Sequence, residues 1–153
     1  MTRAGRRASL AGLGLVCIAA CALEPDVGGR LPGNCHNDDS NPAQAVSFSG
    51  DIRPLINRQM GGCSCHLPSS TGPGNGTAIS GLDLSSLSSL RAGGLNTGSR
   101  VIVAGEPCAS ILYLKVDDAP PFGSRMPLNG PPFWTRDELN LLHDWIAEGA
   151  IDN

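Results

Sequence analysis

The chain has 153 residues, 11 of them basic and 14 acidic, with 41% hydrophobic but only 4% aromatic side chains. A net charge of −3 argues against a nucleic-acid partner and against docking on anionic lipid headgroups. So few aromatic rings leave a small domain little bulk for its core, a gap that a buried prosthetic group or disulfides would fill.

Residues 1–20 read as a secretory signal peptide. Arg3, Arg6 and Arg7 precede an apolar run from Leu10 to Ala20 that is too short to span a bilayer. Ile18-Ala19-Ala20-Cys21 looks like a bacterial lipobox, where cleavage falls before the cysteine and Cys21 takes the lipid anchor. Ordinary cleavage at a small-residue site, with Cys21 incidental, is the alternative. The expected location is the bacterial cell envelope, lipid-anchored and facing the periplasm, and Ala22 after the anchor is compatible with outer-membrane sorting. Loss of the three leader arginines leaves eight basic against 14 acidic residues and a net charge of −6.

Once Cys17 is removed and Cys21 lipidated, four cysteines remain: Cys35, Cys63, Cys65 and Cys108. In an exported protein these thiols are expected to pair or to be otherwise consumed. If a cofactor takes Cys63 and Cys65, Cys35 is left to pair with Cys108; without one, three connectivities are open.

Residues 21–46 are rich in Gly, Pro, Asn and Asp and read as a flexible tether. The Cys35-His36-Asn37-Asp38-Asp39 cluster within it is a weaker metal-binding candidate. A single all-α domain with long loops is expected over residues 47–152. Its first helix should start near Ser49 or Gly50, with Pro54 in the first turn and Ile52, Leu55, Ile56 and Met60 on one face. Residues 67–81 read as a loop, and their Gly72, Gly74 and Gly76 lack the strand and the Lys-Ser/Thr of a phosphate loop. Ser85 or Ser86 should cap a short helix closed by Gly93-Gly94. Pro107 suits the start of the next helix, which places Cys108 on its buried side. Asp117 to Pro132 holds five of the 12 prolines and reads as a stiff loop around Met126-Pro127. Thr135 and Glu138 form a capping box for the last helix, Trp134 can staple onto Leu139, and Gly149 ends the run. His143 falls on the border of that helix's apolar face and reads as half-exposed.

The informative stretch is Gly61-Gly62-Cys63-Ser64-Cys65-His66. A Cys-x-x-Cys-His run attaches c-type haem through two thioethers, with the histidine on iron. Here Cys65 and His66 are in register, while Gly62 stands where the first cysteine belongs and Cys63 comes one residue late. An α-helical turn would set Cys63 and Cys65 roughly 200° apart around the axis, and an extended chain would send them to opposite faces. One thioether, from Cys65, is therefore the simpler expectation. Met126, 60 residues after His66, is the candidate sixth ligand, suited to electron transfer.

These pieces resemble the small class I cytochromes c, especially the cytochrome c-like domains of planctomycete and myxobacterial envelope lipoproteins. The matching runs are Val46-Ser47-Phe48-Ser49-Gly50-Asp51-Ile52-Arg53-Pro54-Leu55, Gly81-Leu82-Asp83-Leu84-Ser85, Val103-Ala104-Gly105-Glu106-Pro107 and Ser110 to Val116. Ser124-Arg125-Met126-Pro127-Leu128 and Glu138 to Ala150 complete the match. The resemblance implies a cytochrome c-like fold carrying haem c, with His66 as proximal ligand, Met126 as distal ligand and Cys65 as a thioether. It implies an electron carrier with a redox protein partner, held at the membrane by its lipid. Departures at Gly62 and Cys108 suggest a Cys63–Cys108 bridge, and with it the alternative of a haem-free, disulfide-stapled binding or structural module. A third reading places Cu(I) on Cys63, Cys65, His66 and Met126. No nucleophile–base set or paired carboxylates stand out, so no enzymatic activity is expected.

Overall fold

The computed structural model describes residues 35–118 and 120–153. Cys21 and the expected leader, residues 1–20, lie outside the described residues. Among those residues the protein is helical, with no strand and a single isolated bridge between Ser69 and Gly72.

Chain entry is set by a reciprocal cap. Ser47 Oγ accepts from Gly50 N at 2.9 Å, and Asp51 Oδ2 accepts from Ser47 N at 2.9 Å. The turn that follows, Phe48–Ile52, is wound as a π-helix and runs straight into α1, Arg53–Asn57. Pro54 sits early in α1, where a missing N–H costs no helical bond. Ile52 and Ile56 are fully buried, whereas Met60, expected on the same face, lies beyond the end of α1 and is 68% exposed.

Residues 67–81 are not all loop, since Asn75–Ser80 forms α2, closed by Gly81 at φ +69°. Ser86 caps α3, Leu87–Ala92, through a capping box with Ser89. A 3-10 turn at Gly98–Val101 leads to a second at Pro107–Ala109, after which Ser110 breaks the run and α4, Ile111–Val116, begins. Ser110 is fully buried, and its Oγ is satisfied by Val103 N, Val103 O and Glu106 O. No helix covers the described part of the proline-rich segment from Asp117 onward, and α5, Arg136–Ala147, then starts from Thr135. The Thr135/Glu138 capping box is formed as expected, and Trp134 and Leu139 share the core.

The core closes around Trp145, which is fully buried beside Phe48 at a ring separation of 5.7 Å. Trp145 Nε1 donates to Ile151 O at 2.7 Å, and Phe48 N donates to the same carbonyl at 3.3 Å. One carbonyl thus ties the chain end to both the entry turn and α5. A second tie is ionic: Arg58, just past α1, pairs with Glu138 on α5. Desolvation pushes the Glu138 carboxyl up, but the bonds from Arg58 and Thr135 outweigh it and hold its pKa below the usual value.

Residues 35–46, expected as part of a free tether, are instead docked on the domain. Cys35 is bonded to Cys108, with Cα atoms 5.8 Å apart. Asn37 Oδ1 accepts from Cys108 N at 3.0 Å, and His143 Nε2 lies 2.7 Å from His36 O. Asp144 accepts from Ser40 N at 2.9 Å and Ser40 Oγ at 2.6 Å. His143, expected half-exposed, is buried under this strap at 7% exposure. The Cys63–Cys108 bridge is not formed: Cys108 is taken by Cys35, and Cys63 and Cys65 are free thiols.

The disulfide closes a loop of sequence separation 73. Chain-entropy reasoning for a loop of that size gives about 4 kcal/mol, so the Cys35→Ser/Cys108→Ser pair is expected to lose up to that much in urea unfolding. An unchanged urea midpoint would contradict the strap's role. The Arg58–Glu138 pair generates a pH dependence. Because Glu138 has a depressed folded pKa, its contribution is full above its unfolded value near 4.5 and is lost as pH falls through the folded value. Arg58→Gln is expected to cost about 1 kcal/mol near neutral pH and to flatten the acid limb of a stability profile below pH ~4.5. An acid limb identical to the parent's would contradict the assignment.

Candidate functional site

The motif residues sit in a single 3-10 turn, Ser64–His66, entered from Cys63. His66 N donates to Cys63 O at 2.9 Å, and Leu67 N donates to Ser64 O at 3.1 Å. In such a turn side chains at i and i+3 eclipse. Cys63 and His66 therefore project to the same side, and Cys65 is turned away from both. The structure bears this out: Cys63 is buried at 6%, whereas Cys65 is exposed.

Cys63 and His66 open onto an apolar cavity of about 190 Å³. Leu82, Leu84, Val101, Ile111, Leu112 and Val116 line it, together with Met126 from the proline-rich loop. Its apolar lining with a few polar groups is of the kind small-molecule and cofactor sites use, while its volume is smaller than theirs usually are. The cavity thus brings together Cys63, His66 and Met126. Cys65, expected to be the attaching thiol, is not among its lining residues, and Cys35 and Cys108 belong to the separate strap.

Each of the three groups is held by its neighbours. His66 Nδ1 lies 3.1 Å from Leu82 O, a carbonyl that can only accept, so the ring donates through Nδ1. Leu84 N donates to His66 O at 2.9 Å, so the same extended piece grips the ring and the backbone. Met126 is positioned by the end of α4: Met126 N donates to Lys115 O at 2.6 Å, and Arg125 Nε donates to Val116 O at 3.1 Å. Lys115 Nζ donates to Phe122 O at 2.7 Å and to Ser124 O at 2.5 Å, closing the loop over the cavity wall. Burial lowers the Lys115 pKa below its usual value. Burial likewise pushes the Cys63 thiol up to about 12, with Cys65 adding to the rise and Arg58 opposing it. Cys63 is therefore held as the protonated thiol at neutral pH.

Glycines do what the motif reading did not assign to them. Gly62 passes so near Arg58 that a Cβ there would lie 2.1 Å from Arg58 O. The position where a first haem cysteine belongs has no room for a side chain. A Cβ at Gly74 would lie 2.4 Å from Cys65 O, and one at Gly76 would lie 2.9 Å from both Cε1 and Nε2 of His66. Gly74 and Gly76 thus let α2 and its approach pack against the Cys65-His66 backbone and ring. Their spacing was the signal available for this close backbone approach, and excluding a phosphate loop left it unread.

The strap holds a second Cys/His group. Ligand atoms of Cys35, Cys108 and His143 lie within 4.8 Å of one another. With both sulfurs joined in a disulfide, no thiolate is offered there. No helix among the described residues is long and apolar enough to cross a membrane. Comparison with known proteins finds no matching family model, no matching curated relative and no matching solved structure.

Gly62→Cys, which writes the missing motif cysteine into the sequence, is expected to destabilise the fold by about 2 kcal/mol or more, as overpacked sites do. Denaturant unfolding checks this, and a variant as stable as the parent would show that the backbone at Gly62 yields without cost.

Proposed function

We propose that this protein is a cytochrome c-like electron carrier of the bacterial cell envelope, anchored by lipid on Cys21, with haem held between His66 and Met126. The observation that carries the reading is the cavity, where the His66 imidazole, its Nδ1 against Leu82 O, and the Met126 thioether from a loop 60 residues further on line one apolar space. Three features of the chain suit haem. The lining is apolar enough for a porphyrin face, while Ser80, Asn96, Thr97 and Lys115 supply polar groups suited to propionate carboxylates. The low aromatic content leaves a core with space to fill.

Haem in this cavity supplies a one-electron iron couple. Leu82 O, by holding the Nδ1 proton of His66, orients the imidazole and raises its donor strength toward iron. The Lys115 and Arg125 bonds keep the Met126 loop against α4, so the soft ligand stays on its side of the cavity. Held by His66 and Met126, haem would have the raised potential that a histidine and a thioether together give. The apolar walls exclude water and add to that effect. The partner for such a carrier is a redox protein, and the net charge of −6 on the mature chain suits a basic one.

A second reading, a haem-free fold stapled by disulfide, is favoured by one observation: Gly62 cannot bear the first attachment cysteine. Exporting the full chain alongside c-type maturation machinery separates the two. The expected result is red protein whose reduced spectrum loses its low-spin character in Met126→Ala and in His66→Ala. Folded, colourless protein with no haem by pyridine haemochrome would leave the haem-free reading.

A further inference from the structure

We infer that Cys63, and not the in-register Cys65, is the residue through which this chain bonds its haem, by a single thioether. This rests on the haem-binding reading above and sharpens it. The argument is geometric. A thiol can reach a vinyl group inside the cavity only if it opens onto that cavity, and of the two motif cysteines only Cys63 is among its lining residues. The 3-10 turn fixes this, because the Cys63 carbonyl accepts from His66 N at 2.9 Å and the i, i+3 relation aligns Cys63 with the ligand histidine. Cys65, one residue before His66, is rotated to the solvent side.

Turning Cys65 inward would require unwinding that turn, and contacts on two sides hold the turn as it is. Gly74 and Gly76 pack against Cys65 O so closely that not even a methyl group fits between them. On the other side, Cys63 N donates to Ile56 O at 2.9 Å, which anchors the start of the turn to α1. The shift of the first cysteine from position 62 to 63 is then a compensated change. Gly62 allows the tight passage beside Arg58 O, and the 3-10 turn brings the displaced thiol back to the side the histidine faces.

The bond forms by addition. The Cys63 S–H bond and the vinyl π bond break, sulfur bonds the vinyl carbon attached to the ring, and the hydrogen goes to the terminal carbon. No electrons are gained or lost overall, so no oxidant or reductant is consumed.

The test is made on the full chain exported with c-type maturation machinery, as the parent, Cys65→Ala and Cys63→Ala. Haem-stained denaturing gels and intact mass report covalent attachment, and fragmentation of the haem peptide reports its site. The expected result is covalent haem at parental level in Cys65→Ala, none in Cys63→Ala, a haem peptide modified on Cys63, and a haemochrome spectrum of the one-thioether kind. Cys65 is exposed, so its variant tests the assignment even if loss of the buried Cys63 impairs folding. Loss of covalent haem in Cys65→Ala, or modification mapped to Cys65, would overturn the assignment. Haem that acidified solvent extracts completely from the parent would also overturn it, while leaving the His66/Met126 reading intact. Folded parent protein with no haem in any form would overturn both.

Discussion

The cavity depends on how closely the chain passes itself at Gly62. There the backbone comes so near the Arg58 carbonyl that a single added carbon would overlap it. That approach sets the path from the end of α1 into the Cys63–His66 turn, and the bond from Cys63 N to Ile56 O holds it. Arg58 is the pivot, since its carbonyl crowds Gly62 while its side chain reaches Gly61 O and Glu138 on α5. The turn that presents Cys63 and His66 is therefore fastened to both the first and the last helix.

The rest of the fold supplies two supports for that turn. One is the Trp145 anchor, where the Ile151 carbonyl receives both the indole N–H and the Phe48 amide. The other is the strap of residues 35–46, joined by the Cys35–Cys108 bond and by the Ser40 donors to Asp144. Desolvation raises the Asp144 pKa, but the Ser40 bonds and the neighbouring His143 outweigh it and hold the carboxylate charged. The strap lies on the α5 and Cys108 side of the domain, among residues separate from those of the cavity. Its contribution is to stability, in a protein with few aromatic side chains to build a core.

Local signals were legible in the sequence. The Thr135/Glu138 box, the Ser86 cap with its Gly93 stop, and the long proline-rich loop all follow from side chains acting on backbone a few residues away. The buried side of Cys108 was legible too, from its spacing with Ile111 and Leu112. What failed needed contacts distant in sequence or a backbone outside the two regular periods. Docking of residues 35–46 depends on Asp144, 104 positions from Ser40. Met60 is exposed because α1 ends at Asn57, a limit the apolar spacing did not carry. The cysteine geometry was weighed for an α-helix and for a strand. The 3-10 turn that forms gives a third answer, with Cys63 beside His66.

The proposal that His66 and Met126 hold one haem iron has a direct test. Near-infrared magnetic circular dichroism of the oxidised, haem-loaded chain reads the axial ligand pair directly. The account expects a histidine–methionine signature in the parent, lost in Met126→Ala and kept in Cys65→Ala. A bis-histidine or histidine–thiolate signature in the parent would contradict it, because the cavity would then be closed by a ligand other than the one the α4-tethered loop presents.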